Sequence, residues 1–277
     1  MNYKLIGQSI NFVSRLSPSL AQKISFKLFT SPRPRKQKPE EIEFLKTANQ
    51  ETVHSGGQKI QVYSWGQSDK KILFSHGWES NAGRWRSFIP PLVKKGFQVI
   101  AFDAPGHGAS EGHRLHLVIF MQAIKAIMDK FGAFYATVGH SMGGGATVMA
   151  LHDLHLPRPK KLVLLATFSE VSKIYDSYSE MLGLAPKLKD GFDKTIKKLS
   201  GQTMAHFSIV AKAALLSDVQ GLIIHDKQDQ TIPISEARDI AQNWPTAKLI
   251  ETDGAGHSLQ NDFIFTQVVD FLSRPDV

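Results

Sequence analysis

The chain reads as an α/β protein built on a mostly parallel sheet with helices on both faces. Short aliphatic and β-branched runs recur from about residue 50 onward, and stretches of helical period stand between them. One interval late in the chain is far longer than a single crossover helix needs, which marks an insertion. With 277 residues, 42% hydrophobic and 21% charged, the chain can bury one sizeable core.

Residues 1–45 come first and differ from the rest. Ile6, Ile10 and Val13 repeat at helical spacing, and Ser17-Pro18 restarts a pattern that continues through Leu20, Ile24 and Leu28. Two short amphipathic helices follow, with one apolar face in need of a partner. Ser31 to Pro39 is rich in proline and basic residues and suits an extended linker. Two readings stand for this arm: a helical pair packed on the rest of the protein, or a foot through which residues 1–40 make peripheral contact with an anionic membrane.

The main domain is expected over 46–277. Gly56-Gly57 suits a hairpin turn between Thr52-Val53 and Ile60–Tyr63. Six buried strands are then predicted at 71–75, 98–102, 135–138, 161–165, 221–224 and 248–250, giving an eight-stranded type of sheet. Helices are predicted at Val118–Phe131, Ile234–Asn243 and Ile264–Leu272. After the sixth strand, about residues 167–215 form a short helical cap. Its aromatic and aliphatic residues, such as Phe168, Tyr175 and Phe192, alternate with lysines, as in helices with one apolar and one wet face.

Composition removes several classes of function. Without cysteine, no disulfide framework, thiolate metal site or cysteine nucleophile is available. No H-E-x-x-H spacing and no G-x-G-x-x-G after a strand occurs, so neither metal nor dinucleotide cofactor is implied. The formal charge of +8 is read as a solvated basic surface, because the basic residues match no nucleic-acid motif. No apolar stretch approaches the roughly 20 residues of a membrane span, and polar residues interrupt any signal-peptide core near the N-terminus. A soluble, cytoplasmic protein is the expectation.

The chemistry points to Gly139-His140-Ser141-Met142-Gly143, which follows a predicted strand and opens a predicted helix. G-x-S-x-G in that setting forms a sharp turn that holds the serine in a strained backbone and aims helix amides at the reacting centre. Asp226 and Asp229 follow the strand at 221–224, and His257 lies in a glycine-rich loop after the last strand. Either aspartate could instead form a turn or cap the helix ahead.

Taken together, His76-Gly77-Trp78, the Asp103–Ser110 loop, the elbow around Ser141, the segment His225–Pro233 and Gly254–Ser258 resemble the α/β-hydrolase fold family, in its serine esterase and lipase-like branch. The resemblance covers most of 50–277. It implies Ser141 as nucleophile, His257 as general base, Asp229 in preference to Asp226 as the acid, and backbone N–H groups of Trp78 and Met142 as the oxyanion hole. It further implies cleavage of a carboxylic ester of small to medium acyl chain, the small-molecule ester being the one partner required. Thioesterase and carbon–carbon bond hydrolase activities remain open with the same residues, as does a non-enzymatic role in binding a small ligand. His76, His107 and His140 are expected to be packing or hydrogen-bonding residues.

Overall fold

The computed structural model describes residues 2–33 and 36–275. Pro34 and Arg35 of the expected linker lie outside the described residues. In chain order, α1 (Tyr3–Leu16), α2 (Pro18–Thr30) and α3 (Pro39–Leu45) precede the hairpin β1 (Asn49–Ser55) and β2 (Gln58–Trp65). Then come β3 (Lys71–Ser75), α4 (Ile89–Lys94), β4 (Gln98–Phe102), α5 (Leu117–Phe131), β5 (Ala136–His140), α6 (Met142–Asp153) and β6 (Lys161–Leu165). The chain continues through α7 (Val171–Leu182), α8 (Lys187–Ser200), α9 (Ile209–Ala213), β7 (Gln220–Asp226), α10 (Ile234–Asn243), β8 (Ala247–Thr252) and α11 (Asp262–Ser273).

Two compact units emerge. One contains residues 2–31 and Glu170–Ser208, and the other the remainder.

The larger unit carries a single eight-stranded sheet in the order β1-β2-β4-β3-β5-β6-β7-β8. Pairing is antiparallel at β1–β2 and β2–β4 and parallel from β4 to β8. Gly56 and Gly57 both have positive φ, which the two-residue hairpin turn between Ser55 and Gln58 requires. β3 lies between β4 and β5, so successive connections leave it in opposite directions. Such a reversal opens a crevice at the carboxyl ends of the parallel strands. Below it, Phe74, Trp85, Phe88, Val138, Ile224 and Leu272 belong to one fully buried cluster.

Several boundaries differ from the sequence reading. Pro39 does not end an extended linker but sits at the first turn of α3, where its missing N–H costs nothing, and Glu41 Oε2 accepts the Lys38 N–H at 3.0 Å. β5 runs on through Gly139-His140 and β7 through His225-Asp226. His140, His225 and Asp226 continue buried strands because each finds a side-chain hydrogen-bond partner, a fact invisible to hydrophobic periodicity.

In the smaller unit the amphipathic face of α1 and α2 finds its partner in the segment inserted after β6. Ile10, Ala21 and Leu188 form a buried cluster. Asn11 clamps the turn between α7 and α8, donating to the Gly183 carbonyl at 2.7 Å and accepting the Ala185 N–H at 2.8 Å. Gly7 lies against the Leu182 carbonyl, where any side chain would collide. Phe26 and Phe29 of α2 meet Tyr175, Tyr178 and Phe192, with ring centroids 4.8 to 6.1 Å apart. Tyr178 donates its hydroxyl to the Ser25 carbonyl, and burial pushes the phenol up to about 12.

Candidate active site

Ser141 stands between β5 and α6 with φ +51° and ψ −119°, a conformation rare for a side chain larger than hydrogen. The surroundings enforce it. The Ser141 N–H donates to the Leu165 carbonyl of β6 at 2.8 Å, while its own carbonyl accepts from Gly144 and Gly145 to begin α6. The turn also needs two close approaches. A side chain at Gly139 would strike the backbone of Gly144, and one at Gly143 would strike the carbonyls of Ser75 and His76. The Ser141 amide is spent on the sheet, so the first N–H of α6 without an intrahelical acceptor is that of Met142.

His257, on the loop after β8, places Nε2 3.2 Å from Ser141 Oγ and donates its Nδ1–H to Asp229 Oδ2 at 2.8 Å. Asp229 lies just beyond β7 and is itself well held. Its Oδ1 accepts the N–H groups of Thr231 and Ile232 at 2.8 and 2.9 Å, so the turn-forming and histidine-orienting readings of this residue are both realised, one on each oxygen. Oδ2 also lies 3.3 Å from His225 Nε2. Burial alone would raise the Asp229 carboxyl, but hydrogen bonds from His225, His257 and Ile232 outweigh it and hold the group well below the usual carboxylate range.

Asp226, the rival acid, does not face His257 Nδ1. Its oxygens accept from Gln228 N–H at 2.9 Å, Thr252 hydroxyl at 2.7 Å and Ala255 N–H at 2.8 Å, so it ties the end of β8 and the start of the His257 loop to β7.

The loop after β3 supplies the facing wall. Gly77 approaches Ser141 so closely that a methyl group there would lie 3.1 Å from Ser141 Cβ and 2.8 Å from His140 Nδ1. The half-buried Trp78 follows it, its indole edge-on to His107 with ring centroids 5.8 Å apart. The loop is fixed by histidines in defined tautomers. His76 donates through Nδ1 to the Gly77 carbonyl and accepts the Ala104 N–H at Nε2, and His107 donates to the Pro105 carbonyl and accepts the Glu79 N–H. Burial holds both below the ordinary histidine range. Asp103 gathers the Ala82 and Ala109 N–H groups and the Tyr63 hydroxyl beneath the same loop.

Two braces act on the His257 loop from below. His140 donates its Nε2–H to the His257 carbonyl at 2.8 Å, and the buried Arg84 donates to the Ser258 carbonyl at 2.9 Å with its guanidinium 4.6 Å from the Trp85 ring. Arg84 was not singled out from sequence, since an arginine between Gly83 and Trp85 carries no motif. Among the described residues no cluster of three or more His, Asp or Glu side chains could hold a metal ion.

A mostly parallel sheet of this order with a strained serine at the central crossover defines an α/β hydrolase, and the chain belongs to that family. The family model described as "Serine aminopeptidase, S33" matches residues 66–214. The chain is similar to a bifunctional esterase/perhydrolase of Acinetobacter calcoaceticus, 35% identical over 254 residues, covering 73% of this chain and 91% of the relative. A non-heme haloperoxidase of Rhodococcus erythropolis is 25% identical over 267 residues, covering 79% of this chain and 96% of that one. Among solved structures, an esterase from Exiguobacterium antarcticum superposes with a TM-score of 0.59 at 21% identity, covering 80% of this chain and 99% of the other.

Proposed function

We propose that this α/β hydrolase cleaves a small-molecule carboxylic ester of small to medium acyl chain, with Ser141 as nucleophile. The observation that carries the reading is the unbroken line from Ser141 Oγ through His257 to Asp229, at 3.2 and 2.8 Å. With its Nδ1 proton given to Asp229, His257 presents a lone pair at Nε2 to the serine hydroxyl. As Ser141 attacks the ester carbonyl, His257 takes its proton and then delivers it to the departing alkoxide, while Asp229 stabilises the imidazolium. Water activated by the same histidine releases the acid from the acyl-enzyme. The oxyanion is assigned to the N–H groups of Met142 and Trp78, the former from α6 and the latter from the loop that Gly77 brings against Ser141. A donor of this kind is worth roughly 3 kcal/mol of transition-state stabilisation.

The name of the Acinetobacter relative favours one further reading. The same acyl-enzyme attacked by hydrogen peroxide instead of water would yield a peracid, so perhydrolysis needs no additional catalytic group. Peracid formation with added peroxide would separate the two outcomes. A cytoplasmic location belongs to the esterase reading as an expectation that cell fractionation tests.

Hydrolysis of p-nitrophenyl acetate and butyrate by the wild type and Ser141→Ala, with fluorophosphonate labelling alongside, tests the proposal. Turnover and labelling are expected to vanish together in Ser141→Ala. A wild type that neither labels nor turns over these esters would refute it.

A further inference from the structure

We propose that α1 and α2 dock the protein on an anionic phospholipid surface. The inference stands independently of the esterase reading. It begins with the distribution of charge. Residues 1–38 contain no Asp or Glu, and their basic residues match the formal +8 of the whole chain, so the rest is formally neutral. Within the helices these are Lys4, Arg15, Lys23 and Lys27, all exposed, and none makes an ion pair among the described residues.

The second observation is an apolar stripe on the same face. Packing on α7 and α8 uses the Ile10 and Ser14 side of α1. Leu5, Phe12 and Leu16, spaced seven and four apart, fall within about 40° of one another on the opposite side. They are 57%, 61% and 75% exposed. Along α2 the outward positions Leu20 and Ile24 stand beside Lys23 and Lys27. A single exposed leucine means little, but a line of them edged with unpaired lysine and arginine is the pattern of a helix lying in a membrane interface.

Charge decides between occupants. A second copy would bring two acid-free basic faces together, which electrostatic repulsion opposes. Anionic headgroups answer the lysines and arginines, whose aliphatic stems can follow the apolar side chains inward while their ends stay with the phosphates. An acyl-chain boundary takes Phe12 and Leu16. Lipid therefore satisfies both features of one surface.

The test is sedimentation of the full chain with vesicles of phosphatidylglycerol and phosphatidylcholine in about equal parts, against phosphatidylcholine alone. Binding is expected to the anionic vesicles only and to weaken with salt. Phe12→Ala with Leu16→Ala should lower the partition coefficient tenfold or more, because the apolar anchor is gone. Lys4→Glu with Arg15→Glu should lower it at least about fivefold per residue changed. All four positions are exposed, so circular dichroism and turnover of a water-soluble ester should not change. Absence of binding to anionic vesicles overturns the proposal, as does equal binding by the Phe12→Ala, Leu16→Ala protein. A wild-type dimer in analytical ultracentrifugation that this variant converts to monomer would also overturn it, by assigning the face to a second copy.

Discussion

Replacing Asp229 by asparagine tests the relay at its most constrained point. The Asp229 carboxylate is surrounded by donors: Oδ1 by the Thr231 and Ile232 amides, Oδ2 by His257 Nδ1 and His225 Nε2. An asparagine must put its NH2 on one of these sides. On the Oδ1 side it would face two backbone N–H groups that cannot rotate away, so the amide turns its NH2 toward the histidines. There it donates to His257 Nδ1, which forces the imidazole proton onto Nε2 and points an N–H at Ser141 Oγ. A base in that tautomer cannot take the serine proton. The loss expected from such a reversal is about 10⁴ in kcat, or about 5.5 kcal/mol of activation free energy. KM for p-nitrophenyl butyrate should change little, because Asp229 lies behind His257 and does not reach the ester. Steady-state kinetics of the purified variant, with its urea midpoint measured in parallel, provide the assay. A folded Asp229→Asn protein that keeps kcat within about tenfold of the wild type would refute the assignment, as would a loss expressed only in KM.

Further outcomes concern stability. Lys161 is fully buried at the start of β6, and its ammonium donates to the Phe271 and Arg274 carbonyls at the end of α11, at 3.2 and 2.5 Å. Lys161→Met keeps the stem but leaves these carbonyls unanswered, and should lower the unfolding free energy by roughly 2–3 kcal/mol in urea melts while activity per folded molecule is retained. Burial pushes the Asp103 carboxyl up to about 6 against the opposing Ala109, Ala82 and Tyr63 hydrogen bonds. The native chain thus holds this proton more firmly than the unfolded chain, whose carboxyl titrates near about 4, so the Asp103 contribution falls as pH rises through that window. Relative to the non-titrating Asp103→Asn, wild-type stability should decline by up to about 3 kcal/mol between about pH 4 and 7; a difference independent of pH would reject this account.

Much of the architecture was legible because it depends on local signals. A parallel strand buried on both faces reads as a continuous apolar run, and Gly56-Gly57 announces a hairpin through the φ values it permits. The elbow could be read in part for the same reason, since Gly139 is required by the approach of Gly144 within the turn, whereas Gly143 answers to the distant Ser75 and His76 carbonyls and is carried by the motif. The residues alone do not separate Asp226 from Asp229, since one ends β7, the other lies three positions beyond it, and both hold turns. The family resemblance favours Asp229, and it is Asp229 that lies 2.8 Å from His257 Nδ1, a distance that depends on where β8 and its loop end in space. α3 escaped notice because the prolines and basic residues just before it resemble a linker until Glu41 closes back on Lys38. The pairing of α1 and α2 with α7 and α8 joins segments some 170 positions apart, as in the Asn11–Gly183 hydrogen bond, and no local pattern encodes such a match.

The surroundings of His257 also explain how one histidine can be singled out in a site containing several. His76 and His140 are buried, and burial, with His107 beside His76 and the Arg84 cation beside His140, holds each well below the ordinary histidine range. Both therefore stay neutral, each donating one proton to a fixed carbonyl, Gly77 for His76 and His257 for His140. His257 alone among the three rests against an ionised carboxylate, with a quarter of its side chain reaching solvent. Arg84 thus contributes in two ways. Its hydrogen bond to the Ser258 carbonyl fixes the loop, and its charge adds to the burial that keeps the supporting rings neutral. In the proposed mechanism the rings that hold His257 in place therefore do not compete with it for the serine proton.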